Sequence, residues 1–179
     1  MKKKTIALAV CVLGAAMALA LTGCGASLDR DTTVQDMAIS VPSTWAEEPN
    51  DANSETGGSV WYIDTDPDKD ETEFDAILVS YEAVEPSDAS TAEEAMTEKQ
   101  AQYEEDFAIT NWDIEDSDEF VIDGAKVTTY EYSFEKTIDH VTQKYEYRIA
   151  YLYSPTTHYV IQVYGDAVSL DDIIRSVEL

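Results

Sequence analysis

Apolar and polar residues alternate in short runs through most of the chain. Met37, Ile39 and Val41 share one side of an extended segment that stops at Pro42, which has no N–H for a ladder, so Met37 to Val41 predicts a first strand. Ser59 to Ile63 predicts a second, and Ala76 to Tyr81 a third with Ile77, Val79 and Tyr81 on one face. The acidic stretch Asp64 to Glu73 joins these two as a long hairpin loop, and Gly57-Gly58, followed by a strand, reads as a turn.

The period then changes. Ala92, Ala95, Met96, Gln100, Tyr103 and Phe107 recur at three- and four-residue steps, predicting a weakly amphipathic helix over Thr91 to Asp106. Ser90 and Glu93 have the spacing of a capping box at its start. Period two returns in Phe107 to Ile114, Glu119 to Ile122, Lys126 to Phe134, Lys144 to Tyr153 and His158 to Tyr164, with Asp123-Gly124 as a hairpin turn. Tyr130, Tyr132 and Phe134 share a face, as do Tyr145, Tyr147, Ile149, Tyr151 and Tyr153, and Tyr159, Ile161 and Val163. Ser169 caps a short closing helix whose stripe is Leu170, Ile173, Ile174 and Val177. The sum is an α+β fold, a mainly antiparallel sheet with covering helices.

The N-terminus follows another logic. Lys2, Lys3 and Lys4 precede a run from Ile6 to Leu21 made only of apolar and small residues, the order of parts in an export signal. Leu21, Thr22, Gly23 and Cys24 resemble the lipobox of bacterial lipoproteins. That resemblance implies cleavage before Cys24, lipid on its sulfur, and a protein held on the extracytoplasmic side of a cell membrane. The competing reading is an uncleaved anchor, since Ile6 to Ala26 approaches the ~20 apolar residues of a span; its many Ala and Gly residues argue against that. The predicted organisation is a signal over 1–23, a lipidated cysteine and flexible linker over 24–33 with a reach of about 15 to 18 Å, and one acidic domain over 34–179. Cys11 and Cys24 are the two cysteines, so no disulfide forms within that domain.

Charge narrows the partners. All 37 acidic residues follow Cys24 and eight basic ones remain beside them, a formal charge of −29. Phosphate backbones and anionic headgroups repel such a surface, which excludes nucleic acid and leaves membrane attachment to the lipid. A partner drawn by this field, an envelope protein or a smaller ligand, is cationic; the alternative is a solvated shell that keeps the protein soluble.

Ser40-Val41-Pro42 followed by Trp45, the Asp123-Gly124 hairpin, the aromatic meander and the short closing helix together resemble the PsbP fold. The resemblance spans roughly Thr33 to Leu179. It implies an α-β-α sandwich that acts as a binding or scaffolding module and not as an enzyme. No functional residue of that family falls on a matching motif here.

Candidate chemistry is sparse. Asp64, Asp66, Asp68, Asp70, Glu71, Glu73 and Asp75 could wrap a hard cation that takes about six to eight oxygens, which makes weak calcium binding one alternative function. The spacing departs from an EF-hand, with Lys69 in place of the turn glycine, Pro67 within the loop and Asp75 in place of the bidentate Glu. A second acidic cluster is Asp113, Glu115, Asp116, Asp118 and Glu119. His140 and His158 are the two histidines, too few for zinc without cysteine, and Asp139 beside His140 is poorly placed for a triad. With so many carboxylates, paired ones carry no signal for a glycosidase, and an envelope-acting hydrolase is the remaining enzymatic alternative. The tyrosine-rich strands are either a stacking platform for sugars or peptides or an aromatic core, and Trp45, Trp61 and Trp112 admit the same two readings. The sequence therefore points to a non-catalytic binding domain on a lipid anchor, with no cofactor.

Overall fold

The computed structural model describes residues 26–50, 53–66, 74–85 and 90–179. Its centre is a seven-stranded antiparallel sheet with order β3-β4-β5-β9-β8-β7-β6. The strands are β3 (Ala46–Pro49), β4 (Gly57–Ile63), β5 (Ala76–Ala83), β6 (Thr110–Ile122), β7 (Ala125–Ile138), β8 (Val141–Tyr153) and β9 (Thr157–Tyr164). A separate hairpin of β1 (Leu28–Val34) and β2 (Met37–Pro42) lies on one face beside helix α2 (Leu170–Arg175), and helix α1 (Ala92–Phe107) lies on the other. The protein is thus mixed α+β, with a large antiparallel sheet covered on both sides.

Both faces are apolar, and strand alternation assigns each residue to a side. Met37, Ile39 and Val41 of β2 pack with Tyr62, Ile77, Val79, Leu152, Tyr159, Ile161 and Val163 of the sheet and with Leu170, Ile173 and Ile174 of α2. On the opposite side Tyr132, Phe134, Ile149 and Tyr151 pack under Ala92 and Met96 of α1, with Tyr103, Trp112 and Tyr147 partly buried around them. The tyrosine-rich strands are therefore chiefly core, as the aromatic-core reading expects. Trp45 is buried with the first cluster and Trp112 stacks on Tyr132 at a 4.8 Å centroid distance.

Four expectations need correction. The stretch expected to be a flexible linker holds all of β1 except Val34, and β1 pairs with β2 with one register irregularity between Leu28 and Arg30. Its inward positions include Arg30 and Thr32, so no apolar alternation announces it; Arg30 packs over the Tyr62 ring at 5.7 Å. The helix cap is Thr91, not Ser90: the Glu94 N–H donates to Thr91 Oγ1 at 3.2 Å and the Thr91 N–H donates to the Glu94 carboxylate at 3.0 Å. Ser-Thr-Ala-Glu-Glu offers both cap registers, and the burial of Ala92 and Met96 goes with the second.

The segment after the helix is one strand and not two. The helix runs through Phe107, Ala108 takes a left-handed conformation with φ 51°, and β6 then continues to Ile122 with two register irregularities. Its carboxylates are tolerated because β6 is the exposed edge of the sheet, where charges and bulges discourage further pairing. Finally, Gly57 and Gly58 lie within β4 and not in a turn. A Cβ on Gly58 would meet the Tyr81 hydroxyl at 2.7 Å and would crowd the Asn53 side chain, which itself bonds the backbone of Ser59.

Candidate functional site: an acidic aromatic groove

Register places Glu82 of β5, His158 of β9 and Tyr153 of β8 in one cross-strand row. The next row inward holds Ser80, Val160 and Tyr151. Helix α1 covers only part of this face, and a groove of about 460 Å³ remains between its first turns and the two rows. Val160 and Tyr151 line its floor, Glu94 and Glu98 line it from the helix, and Glu82 lines it from the sheet. The His158 imidazole stacks on the Tyr153 ring with centroids 4.0 Å apart and planes 27° from parallel.

The walls are fixed from behind. The Tyr81 hydroxyl donates to the Ser54 carbonyl at 2.8 Å, and the Tyr151 hydroxyl, buried under the helix, points at Met96 Sδ at 3.8 Å. Burial pushes the Tyr151 phenol well above its ordinary value, with repulsion from neighbouring phenols adding to it, so it stays protonated at neutral pH. Chemically the groove offers carboxylates, hydroxyls and aromatic faces, a set that matches ammonium or guanidinium groups by charge and by cation–π contact. Sequence pattern placed Tyr151 and Tyr153 on a common face. It could not place Glu82, Glu98 or His158 beside them, because the groove joins three strands and a helix.

The sequence-predicted residues are scattered. Cys24 lies outside the described residues, as do Asp68, Asp70, Glu71 and Glu73. Asp64 and Asp66 are described, and the Asp64 carboxylate accepts the Asp66 N–H at 3.0 Å. Asp75 is buried, and its carboxylate accepts the N–H groups of Asp166 at 2.9 Å and Ala167 at 3.1 Å, pinning the chain that follows β9. In the second acidic cluster, Glu115 accepts from Lys144 Nζ at 2.7 Å and the Ser133 hydroxyl at 2.8 Å, and Glu119 pairs with Lys126 at 2.8 Å. Those two hydrogen bonds, that from Lys144 first, hold the Glu115 carboxyl below its usual value. His140, in the β7–β8 turn, and His158, at the start of β9, lie at opposite ends of the sheet. Among the described residues no group of three or more His, Cys, Asp or Glu side chains could hold a metal ion.

No family model and no curated protein matches the chain. Among solved structures, the fold is similar to the solution structure of cyanobacterial PsbP (CyanoP) from Synechocystis sp. PCC 6803. The TM-score is 0.56 at 12% identity, over 80% of this chain and 86% of that one. At that identity the likeness is one of fold.

Proposed function

We propose that this chain is an exported lipoprotein, acylated on Cys24 and held on the extracytoplasmic face of a membrane, whose PsbP-like α-β-α domain binds a cationic partner and does not catalyse. The groove carries the binding half of this reading: Glu82, Glu94 and Glu98 surround an aromatic wall in a protein with 37 acidic side chains. Long-range attraction by the acidic surface brings a basic segment in, and the His158–Tyr153 stack gives its side chains a face to lie on. The lipidation half rests on the order Lys2–Lys4, apolar run, Leu21-Thr22-Gly23-Cys24. The likeness to the cyanobacterial PsbP structure agrees with the architecture and is silent on the ligand.

Metabolic labelling with a fatty-acid analogue tests the anchor: label enters the native chain and is lost in Cys24→Ser. Calorimetric titration of the membrane-extracted protein with a lysine- and arginine-rich peptide tests the groove. Binding that weakens with salt and falls severalfold in Glu82→Gln/Glu98→Gln supports it, and equal binding by the double variant overturns it. The calcium alternative is the weaker, because the Asp75 carboxylate is already engaged by two backbone amides.

A further inference from the structure

The β7–β8 hairpin outruns its neighbours. β6 pairs with β7 only as far as Glu135, and β9 pairs with β8 only from Arg148 onward. Val141 therefore lies seven residues beyond the last β9 row, about 23 Å at ~3.3 Å per residue. The finger is held by its own ladder through Ile138 and Val141 and by a 2.9 Å contact between the Thr137 and Thr142 hydroxyls. Its turn residues, Asp139 and His140, have φ of 50° and 69°, a conformation that the β6–β7 turn reaches with a glycine at its second position. Asp and His are among the non-glycine residues that take this left-handed conformation most readily, so the two strands stay paired up to a tight tip.

What it presents is apolar. Ile138 is 47% exposed and Val141 59%, and the 46% exposed Phe107 lies alongside, with Lys136 Nζ 5.1 Å from its ring. Between Lys136 and Lys144 the one carboxylate is Asp139, which Lys136 offsets, while Lys144 is paired with Glu115 and Glu146.

The direction of the finger matters more. Ala26 donates its N–H to the Ala167 carbonyl, just past the end of β9, and Asp75 bonds the amides of Asp166 and Ala167 there. Ala76 pairs with Tyr164 at the same end. The chain before Ala26 thus starts from the end of the sheet beyond which the finger projects. Only Gly25 separates Ala26 from Cys24, so a lipid on Cys24 would bring the bilayer within about 7 Å of Ala26. That tether is shorter than the finger's reach past β9 and comparable to its reach past β6, three residues or about 10 Å.

We infer that the β7–β8 finger is a second membrane contact, setting Ile138 and Val141 into the interfacial region of the bilayer. The inference rests on the lipoprotein reading above. The β4–β5 loop with Asp64 and Asp66 and the last turn of α1 with Glu104, Glu105 and Asp106 lie at this same end. Repulsion holds that part of the body off the headgroups while the apolar tip, in which Lys136 offsets Asp139, makes the contact; the groove, at the far end, faces away.

The test uses the mature acylated protein in vesicles of phosphatidylethanolamine and phosphatidylglycerol. Cysteines introduced singly as Val141→Cys and as Thr156→Cys, in the exposed turn at the opposite end, carry an environment-sensitive fluorophore. The expected result is a blue-shifted Val141→Cys probe, quenched severalfold more by spin-labelled lipid than the Thr156→Cys probe, with Ile138→Ser reducing that quenching while flotation with the vesicles is unchanged. A Val141→Cys probe as wet as the Thr156→Cys probe on floating protein overturns the finger contact alone. Protection in native membranes but not in pure lipid also overturns it, in favour of a protein partner. A chain that fails to float, or that labels at Cys11 and Cys24 without an added cysteine, overturns the lipoprotein reading and the finger contact with it.

Discussion

The Asp75 carboxylate occupies the space that a side chain on Gly165 would need. Gly165 has φ +75°, and a Cβ built there would fall within contact radius of Asp75 Oδ1 and 2.8 Å from the Phe74 carbonyl. The same oxygen accepts the amides of Asp166 and Ala167, so acid and glycine form one unit that fixes the exit from β9. Gly165→Ala is expected to destabilise through the clash and the left-handed backbone together. Asp75→Ala, leaving two amides without that acceptor, is expected to cost about 1–3 kcal/mol for each amide that water does not reach. At roughly 2–4 °C per kcal/mol for a domain of this size, calorimetry should show a clear fall in Tm for both. An unchanged Tm in Asp75→Ala would remove the anchoring role and return this carboxylate to the cation loop.

The helix cap offers a sharper contrast. Thr91 and Glu94 exchange side chain-to-backbone bonds at 3.2 and 3.0 Å, whereas Ser90 precedes the cap. Thr91→Ala should lower stability by about 1 kcal/mol, while Ser90→Ala should change it by a few tenths at most. Urea midpoints of the two variants, compared at equal slope, read the difference directly. The reverse order would restore the Ser90 register.

These two cases show where sequence pattern is informative and where it stops. Strands β2, β5, β7, β8 and β9 were legible because each carries an apolar residue at every second position over a buried face, and Asp123-Gly124 announced its own turn, with φ of 48° and 90°. β1 was not, because Arg30 contributes its stem and not an apolar side chain to the inward face. β3, Ala46–Pro49, is a short edge segment of mixed character with no periodic signal. The role of Asp75 was illegible because its amide partners lie 91 and 92 residues away. The groove is of the same kind: Glu82, His158 and Tyr153 become a row only once register is set.

One polar network lies under α1 in the aromatic layer. Gln162 is 2% exposed; its Oε1 accepts from Lys99 Nζ at 3.0 Å and its Nε2 donates to the Tyr132 hydroxyl at 3.2 Å. The Lys99 ammonium also lies 4.9 Å from the Tyr103 ring centre. Gln162→Leu removes an acceptor and a donor together and is expected to cost about 1–3 kcal/mol. Tyr132→Phe should be costlier in the native background than in Gln162→Leu, where the hydroxyl has already lost the Gln162 donor and keeps its bond to Tyr103. Denaturant unfolding of the full double-mutant cycle measures the coupling, and additive values would show that the two side chains act separately.

The buried phenols give the protein an alkaline limit. Burial is the first cause that pushes Tyr132, Tyr147, Tyr151 and Tyr164 above the ordinary value of 10.0, with like-charge repulsion from neighbouring phenols, Tyr103 among them, as the second. Their folded-state values are raised, so between pH 10 and those values the native state keeps protons that the unfolded chain releases. The unfolded state then binds fewer protons, and stability falls as pH rises above about 10, with no loss from these groups below it. Phenolate absorbance should therefore rise in two phases, a gradual one from the more exposed tyrosines and a steep one coincident with loss of far-ultraviolet circular dichroism. Tyr164→Phe removes one such phenol and should move the steep phase to higher pH. A single smooth titration of all 11 tyrosines with the dichroism intact would show that these rings reach solvent without unfolding and would overturn the closed aromatic layer beneath α1.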